Sequence, residues 1–218
     1  MYRPSPFPPV AWLWAKSVGG HYWRTTGDIM DNWTRPEFNG IIDIVALNGR
    51  LAKYAGPGGW NDPDMLVVGI SGRSKNINYG AESYGCTNDE YRTHMSLWCM
   101  MASPLLCGND IRNMSQETKD ILLNPEIIAI NQDRLGEQGR IIHRDSQCVI
   151  WKKNLSEGIA IAVCNLADSR STMKLDFDML GIPVRGLLRD VWSHKNLNPQ
   201  KILDLDIAPH GCEVFVVK

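Results

Sequence analysis

Near Gly136 to Gly139 the hydrophobic pattern of this chain changes its period, and that change limits the folds open to it. Before this point, short apolar runs alternate with stretches whose apolar residues recur every three or four positions. After it, brief apolar runs follow one another across polar turns, with no helical stripe between them. The first grammar implies a parallel sheet wrapped by helices, and the second an antiparallel sandwich. The sequence therefore predicts an α/β unit followed by an all-β unit, with the divide at about residue 138. Residues 1–10, with four prolines in Met1 to Pro9, read as an irregular N-terminus.

Within the first unit, 21–28 reads as a short strand that turns at Gly27-Asp28. Phe38, Ile41, Ile42 and Val45, with Ile44, Leu47, Leu51 and Tyr54, predict an amphipathic helix over 36–54, stopped by Gly56-Pro57-Gly58-Gly59. A second buried strand is expected over 60–68, opening into a polar loop. Thr87 and Glu90 have capping-box spacing, and Tyr91, Met95, Trp98 and Ala102 continue as a helical stripe. A short strand at 104–107 and a helix capped by Ser115 follow. In the second unit, strands are expected over 140–142, 147–152, 158–165, 172–175, 187–191, 202–205 and 212–217.

Composition narrows the partners. Lys plus Arg number 23 against 24 Asp plus Glu, a net charge of −1. The basic surplus that drives nucleic-acid binding is absent, so no nucleic acid is expected. No apolar run approaches the ~20 residues that span a bilayer, so no membrane partner is expected. The six cysteines contain no CxxC pair, which argues against zinc. They read mostly as buried thiols; Cys148 and Cys164 face each other in the expected 147–165 hairpin, as a disulfide or, more commonly for Cys, as two free thiols. Three Asn-x-Ser/Thr triplets (Asn32, Asn113, Asn154) arise readily by chance and decide nothing.

Chemistry in a β/α barrel sits where strands end and loops begin. Two such places carry acids here. Trp23-Arg24-Thr25-Thr26-Gly27-Asp28 puts a cation four residues before a carboxylate, and Gly59-Trp60-Asn61-Asp62-Pro63-Asp64-Met65 straddles a proline with two. From residue chemistry alone, a helix cap at Asp28 and a turn at Asp62-Pro63-Asp64 stand level with a functional reading. Acids at strand ends beside Trp and Arg suit a glycosidase, where paired carboxylates act as nucleophile and acid/base. A metal site is disfavoured because neither cluster contains His.

GPGGWNDPDMLVVG (Gly56 to Gly69) resembles the most characteristic string of the glycoside hydrolase family 27 α-galactosidases. WRTTGDI, EYRTHMSLWCMMASPLL and AINQDRLGEQG resemble its other landmarks, in the family's order. The resemblance covers about residues 11–218. It implies a fold of α/β plus all-β class: the C-terminal part of a (β/α)8 TIM barrel, about strands six to eight, over 11–138, then an antiparallel β-sandwich over 139–218. It implies hydrolysis of terminal α-D-galactosyl residues with retention. Asp28 falls on the family's general acid/base, Arg24 on a sugar-binding arginine, and Asp64 and Met65 on positions lining the galactose pocket. An acid/base at Asp28 implies a raised pKa, from burial or a nearby carboxylate, with Arg24 opposing the rise. No metal or organic cofactor is implied.

The family's nucleophile lies on the fourth barrel strand in a string close to lysine-tyrosine-aspartate, and no such string occurs here. The resemblance begins just before the sixth strand. The sequence is thus expected to be a truncated homologue, with MYRPSPFPPV as unrelated sequence joined to it, inactive alone and open to completion by a complementary chain carrying the rest of the barrel. The alternatives are an inactive fragment or a non-catalytic module that binds carbohydrate or a partner. Within the family, α-N-acetylgalactosaminidase and β-L-arabinopyranosidase are the alternative activities.

Overall fold

The computed structural model describes residues 10–34, 39–73, 75–76, 81–82, 84–184 and 186–218. Two 3-10 turns, Ala11–Leu13 and Ala15–Val18, lead into β1 (Tyr22–Arg24), which pairs in parallel with β2 (Trp60–Asp62), Arg24 opposite Asp62. β2 is much shorter than the expected strand over 60–68. Pro63 has no N–H to offer the ladder, and Asp64 takes φ +93, so the chain leaves the sheet there. The third parallel element, expected at 104–107, is a single bridge between Leu66 and Cys107. Leu66 N–H donates to Leu106 (2.8 Å) and Gly108 N–H to Leu66 (2.9 Å).

Between β1 and β2 runs α1 (Ile41–Asn48), continued by a 3-10 segment, Gly49–Tyr54. The helix expected over 36–54 therefore begins at Ile41; its first positions fall outside the described residues. Gly40 is extended, and its N–H is capped by the Asp43 carboxylate at 3.0 Å. Its regular coil ends at Gly49, against whose bare backbone the Trp151 ring packs. Two short strands, β3 (Lys75–Asn76) and β4 (Ala81–Glu82), form an antiparallel pair. α2 (Asn88–Met100) starts at the expected capping box, with Glu90 N–H to Thr87 Oγ1 at 3.2 Å and Thr87 N–H to Glu90 Oε2 at 2.7 Å. α3 (Gln116–Leu122) is capped by Ser115, and α4 (Pro125–Asn131) by Asn124 with proline in its first turn.

The rest is antiparallel: β5 (Arg140–Arg144), β6 (Cys148–Leu155), β7 (Gly158–Asn165), β8 (Ser171–Asp176), β9 (Leu188–Asp190), β10 (Lys195–Leu197), β11 (Ile202–Ile207) and β12 (Cys212–Val217). Six strands form one sheet in the order β10-β9-β12-β7-β6-β5, and β11 pairs with β8 in a second. β10 had no counterpart in the sequence reading; Lys195-Asn196-Leu197 is too short and polar to show a period.

The large sheet is buried on both faces. Ile161, Val163 and Phe215 meet Leu175, Phe177 and Leu203 between the sheets. Ala160, Ala162, Cys164 and Val214 instead join α2, α4 and the β2 loop in one continuous core. That explains why β7 reads as an unbroken apolar run rather than an alternation. It also explains α2, whose burial extends beyond the expected stripe to Thr93, His94, Ser96, Leu97 and Cys99. The two-faced burial corrects one cysteine pairing. Cys148 lies opposite Asn165, not Cys164, and packs between the sheets, while Cys164 points to the helix side; the residue opposite Cys164 is Cys212.

Candidate active site

β1 delivers Trp23 inward and leaves Arg24 half-buried beyond it. The Trp23 indole is buried and donates to Asn61 Oδ1 at 2.9 Å. Asn61, itself fully buried on β2, donates onward to the Leu51 carbonyl (2.8 Å) and to Gln138 Oε1 (2.9 Å), and Gln138 returns to the Asn48 carbonyl at 3.0 Å. Every polar group in this buried chain finds a partner, which fixes the register of the two strand ends. Thr25 and Thr26 complete the lock: Thr25 N–H and Oγ1 reach the Asp62 carbonyl, and Thr26 Oγ1 the Pro63 carbonyl at 3.0 Å.

Three of the four expected site residues meet at this rim. Arg24 Nη2 donates to Asp64 Oδ2 at 2.9 Å, Asp28 Oδ1 at 3.2 Å and the Thr26 carbonyl at 3.3 Å. Its Nε is buried and has no hydrogen-bond partner among the described residues. Asp28 stands open to solvent, its side chain 72% exposed, whereas that of Asp64 is 16% exposed. The burial expected around Asp28 is absent in this chain.

Asp64 is held on every side. Oδ2 accepts from the Ile29 N–H (2.8 Å) as well as Arg24, and Oδ1 accepts from the Met65 N–H (2.7 Å). Its own N–H is taken by Asp62 Oδ1 at 2.9 Å, and its carbonyl by the Trp98 indole at 2.8 Å. Asp62 is buried, which raises its pKa against the lowering effect of the Asp64 N–H and Arg24. Met65 is partly buried against the shared core, next to Gly108, rather than within the ion-pair cluster.

The contributions of α2 escaped the sequence reading. Trp98 sits on the stripe read as core and His94 lies beside it, and their spacing does not reveal polar contacts. His94 Nε2 accepts from the Val67 N–H at 3.0 Å, and its ring stands edge-on to Trp98 with centroids 4.0 Å apart. Accepting at Nε2 assigns the proton to Nδ1. Burial lowers the pKa of His94 to about 3, keeping the ring neutral as that acceptor requires.

Among the described residues, no group of three His, Cys, Asp or Glu is placed to hold a metal ion, and no helix is long and apolar enough to cross a membrane. Two grooves lie away from the rim. One of about 1100 Å³ runs between α3 and the β9, β11 and β12 strands, and one of about 540 Å³ between α4 and the large sheet.

Residues 16–133 match the family described as alpha galactosidase A, and 145–217 match the alpha galactosidase C-terminal beta sandwich domain. An α-galactosidase of Oryza sativa subsp. japonica is 39% identical over 207 residues, 94% of this chain and 45% of that protein. α-Galactosidase 3 of Arabidopsis thaliana is 40% identical, over 94% of this chain and 44% of that protein. Among solved structures, α-galactosidase I from Mortierella vinacea superposes with a TM-score of 0.82 at 28% identity, covering 95% of this chain and 55% of that one. A family 27 β-L-arabinopyranosidase from Geobacillus stearothermophilus gives 0.82 at 27%, covering 99% and 49%. The chain spans about half the length of the relatives it matches. Their likeness bears out the fold expected from sequence: a partial TIM barrel followed by an antiparallel sandwich.

Proposed function

The chain belongs to the α-galactosidase family of glycoside hydrolases, and from that premise we propose that its barrel segment is one wall of a retaining site for terminal α-D-galactosyl residues. Asp28 is the general acid/base. It protonates the glycosidic oxygen as the bond breaks and then takes a proton from the water that releases the sugar. Arg24 orients Asp28 through the Nη2 bond and sets a positive charge beside the sugar. Asp64 and Met65 line the pocket.

The observation that carries this reading is Arg24 Nη2 joining carboxylates from the ends of two parallel strands, with Nε buried and unsatisfied beside them. Two carboxylates brought to one guanidinium at the ends of adjacent parallel strands is the arrangement that a sugar-binding rim with an acid/base carboxylate requires. Asp64 does not suit the role of nucleophile. Both of its oxygens accept backbone N–H bonds, and Arg24 neutralises it, so little electron density remains for attack at carbon.

We place the attacking carboxylate on barrel strands outside the sequence described. An aryl α-galactoside assay tests the proposal on the chain alone and on the chain mixed with the N-terminal barrel half of a relative. The chain alone is expected to be inactive, the mixture active, and the mixture with Asp28→Asn inactive. An active Asp28→Asn mixture would overturn the assignment. Parallel assays with aryl α-N-acetylgalactosaminide and aryl β-L-arabinopyranoside decide the substrate within the family.

A further inference from the structure

We propose that Cys164 and Cys212 are a redox-modification site, two thiols placed to be joined across the β7–β12 ladder by exchange with a low-molecular-weight disulfide. The two residues are directly opposite each other in register, and their sulfurs lie 2.9 Å apart. Asn165 N–H bonds to the Gly211 carbonyl one rung further along, so the cysteines occupy a non-hydrogen-bonded rung. Such rungs set Cα atoms about 4.5 Å apart, inside the range of about 4.4–6.8 Å that a disulfide spans.

The other cysteines are not so placed. Cys148 packs on the opposite face of the sheet, Cys99 lies within α2, and Cys107 is exposed at the barrel end. Cys86 sits beside the loop held by Tyr91.

The exchange balances without a metal or an electron carrier. The thiolate of Cys212, at the first position of β12, attacks one sulfur of the small disulfide RSSR and expels RS⁻. The thiolate of Cys164 then attacks the Cys212 sulfur of the mixed disulfide and expels the second RS⁻. Both leaving thiolates take up the protons that the cysteines lost, so two protein thiols are oxidised and one RSSR is reduced to two RSH. Both cysteines are buried in the folded sandwich, and burial raises the pKa of Cys164. The exchange therefore takes place while β12 is undocked.

The bond would fix more than a ladder. β12 runs between β7 and β9, and two residues before Cys212 stands His210. The His210 ring stacks on Trp33 (centroids 4.4 Å apart), contacts Glu90 at the start of α2 through Nδ1 (2.7 Å), and contacts Asp168 through Nε2 (2.9 Å). The joined pair would anchor the turn that ties the sandwich to α2.

The full chain, equilibrated in glutathione disulfide and in dithiothreitol, is acid-quenched, alkylated under denaturing conditions and mapped by mass spectrometry. The oxidised sample is expected to lose two hydrogen atoms, to yield the Cys164 and Cys212 peptides joined, and to melt roughly 5–10 °C higher than the reduced one. Cys148→Ala is expected to keep the joined peptide. Recovery of both cysteines fully alkylated, joining of either one to Cys148, or loss of the bond in Cys148→Ala would overturn the proposal. The wild-type map decides it even if Cys164→Ala or Cys212→Ala fails to fold.

Discussion

The indole N–H of Trp98, in the third turn of α2, donates to the backbone carbonyl of Asp64 at 2.8 Å. That carbonyl belongs to a residue with φ +93, a conformation an L-residue holds only when its surroundings insist. Trp98→Phe keeps a buried aromatic ring but removes the donor together with part of the indole. It is expected to lower stability by about 1–3 kcal/mol, the cost of an unpaired buried carbonyl. Urea unfolding checks this; an unchanged midpoint would mean the loop holds its shape without α2.

Arg24 reaches two carboxylates and a carbonyl with one nitrogen. Lysine supplies a point charge on a longer flexible stem and cannot reproduce the planar fork. In the reconstituted enzyme Arg24→Lys is expected to lower kcat/KM about tenfold or more, one lost charge-assisted contact being worth roughly 1.5–3 kcal/mol. Parity with wild type would remove Arg24 from the site.

Lys153 on β6 is 1% exposed, and its Nζ donates to the last carbonyls of two helices, Cys99 on α2 at 3.0 Å and Ile130 on α4 at 2.6 Å. Burial lowers its pKa from 10.5 to about 8. The unfolded chain then holds this proton more tightly than the folded one between about pH 8 and 10.5, so the contribution of Lys153 to stability grows as pH rises through that window. The stability difference between wild type and Lys153→Met is expected to shift in favour of wild type from pH 8 to pH 10, by on the order of 2–3 kcal/mol. Denaturant midpoints of both proteins at each pH measure it, the comparison cancelling other groups that titrate there.

Glu126, in the first turn of α4, receives Arg189 of β9 through two bonds, Nη2 to Oε1 at 2.6 Å and Nε to Oε2 at 2.9 Å, with His194 Nδ1 at 2.7 Å. The Arg189 bonds, then those of His194, lower its pKa from 4.5 to about 2. A depressed carboxyl stabilises the fold above its unfolded pKa and loses that contribution as pH falls through the folded one. The wild type is therefore expected to lose stability between pH 4.5 and 2 more steeply than Glu126→Gln. The difference is about 2 kcal/mol after allowance for partial solvent exposure. Equal acid slopes would show that the clamp contributes nothing.

Much of the architecture was legible in the chain itself. β7 and β12 lie where their apolar runs end, and the caps at Thr87 and Ser115 start α2 and α3 as expected. These features are local, set by side chains a few residues apart. The parallel strand β2 is shorter than its apolar run suggests, because the exit at Pro63 and Asp64 depends on a positive φ sustained by α2. Arg24, Asp28 and Asp64 could be singled out from their strand-end strings, but their meeting could not.

The sequence by itself determined the order and kind of elements, through period, caps and turn residues, and it carried the motifs by which the family is known. Only the tertiary structure decided which groups share a proton, a charge or a sulfur contact. Arg24 bridges Asp28 and Asp64 because two strands pair in parallel. Trp98 turns from core filler into a hydrogen-bond donor because α2 crosses the loop after β2. Cys164 faces Cys212 rather than Cys148 because a register of one residue sends neighbouring side chains to opposite faces of a sheet. Contacts of this kind depend on distances between residues dozens of positions apart, and no local rule of propensity encodes them.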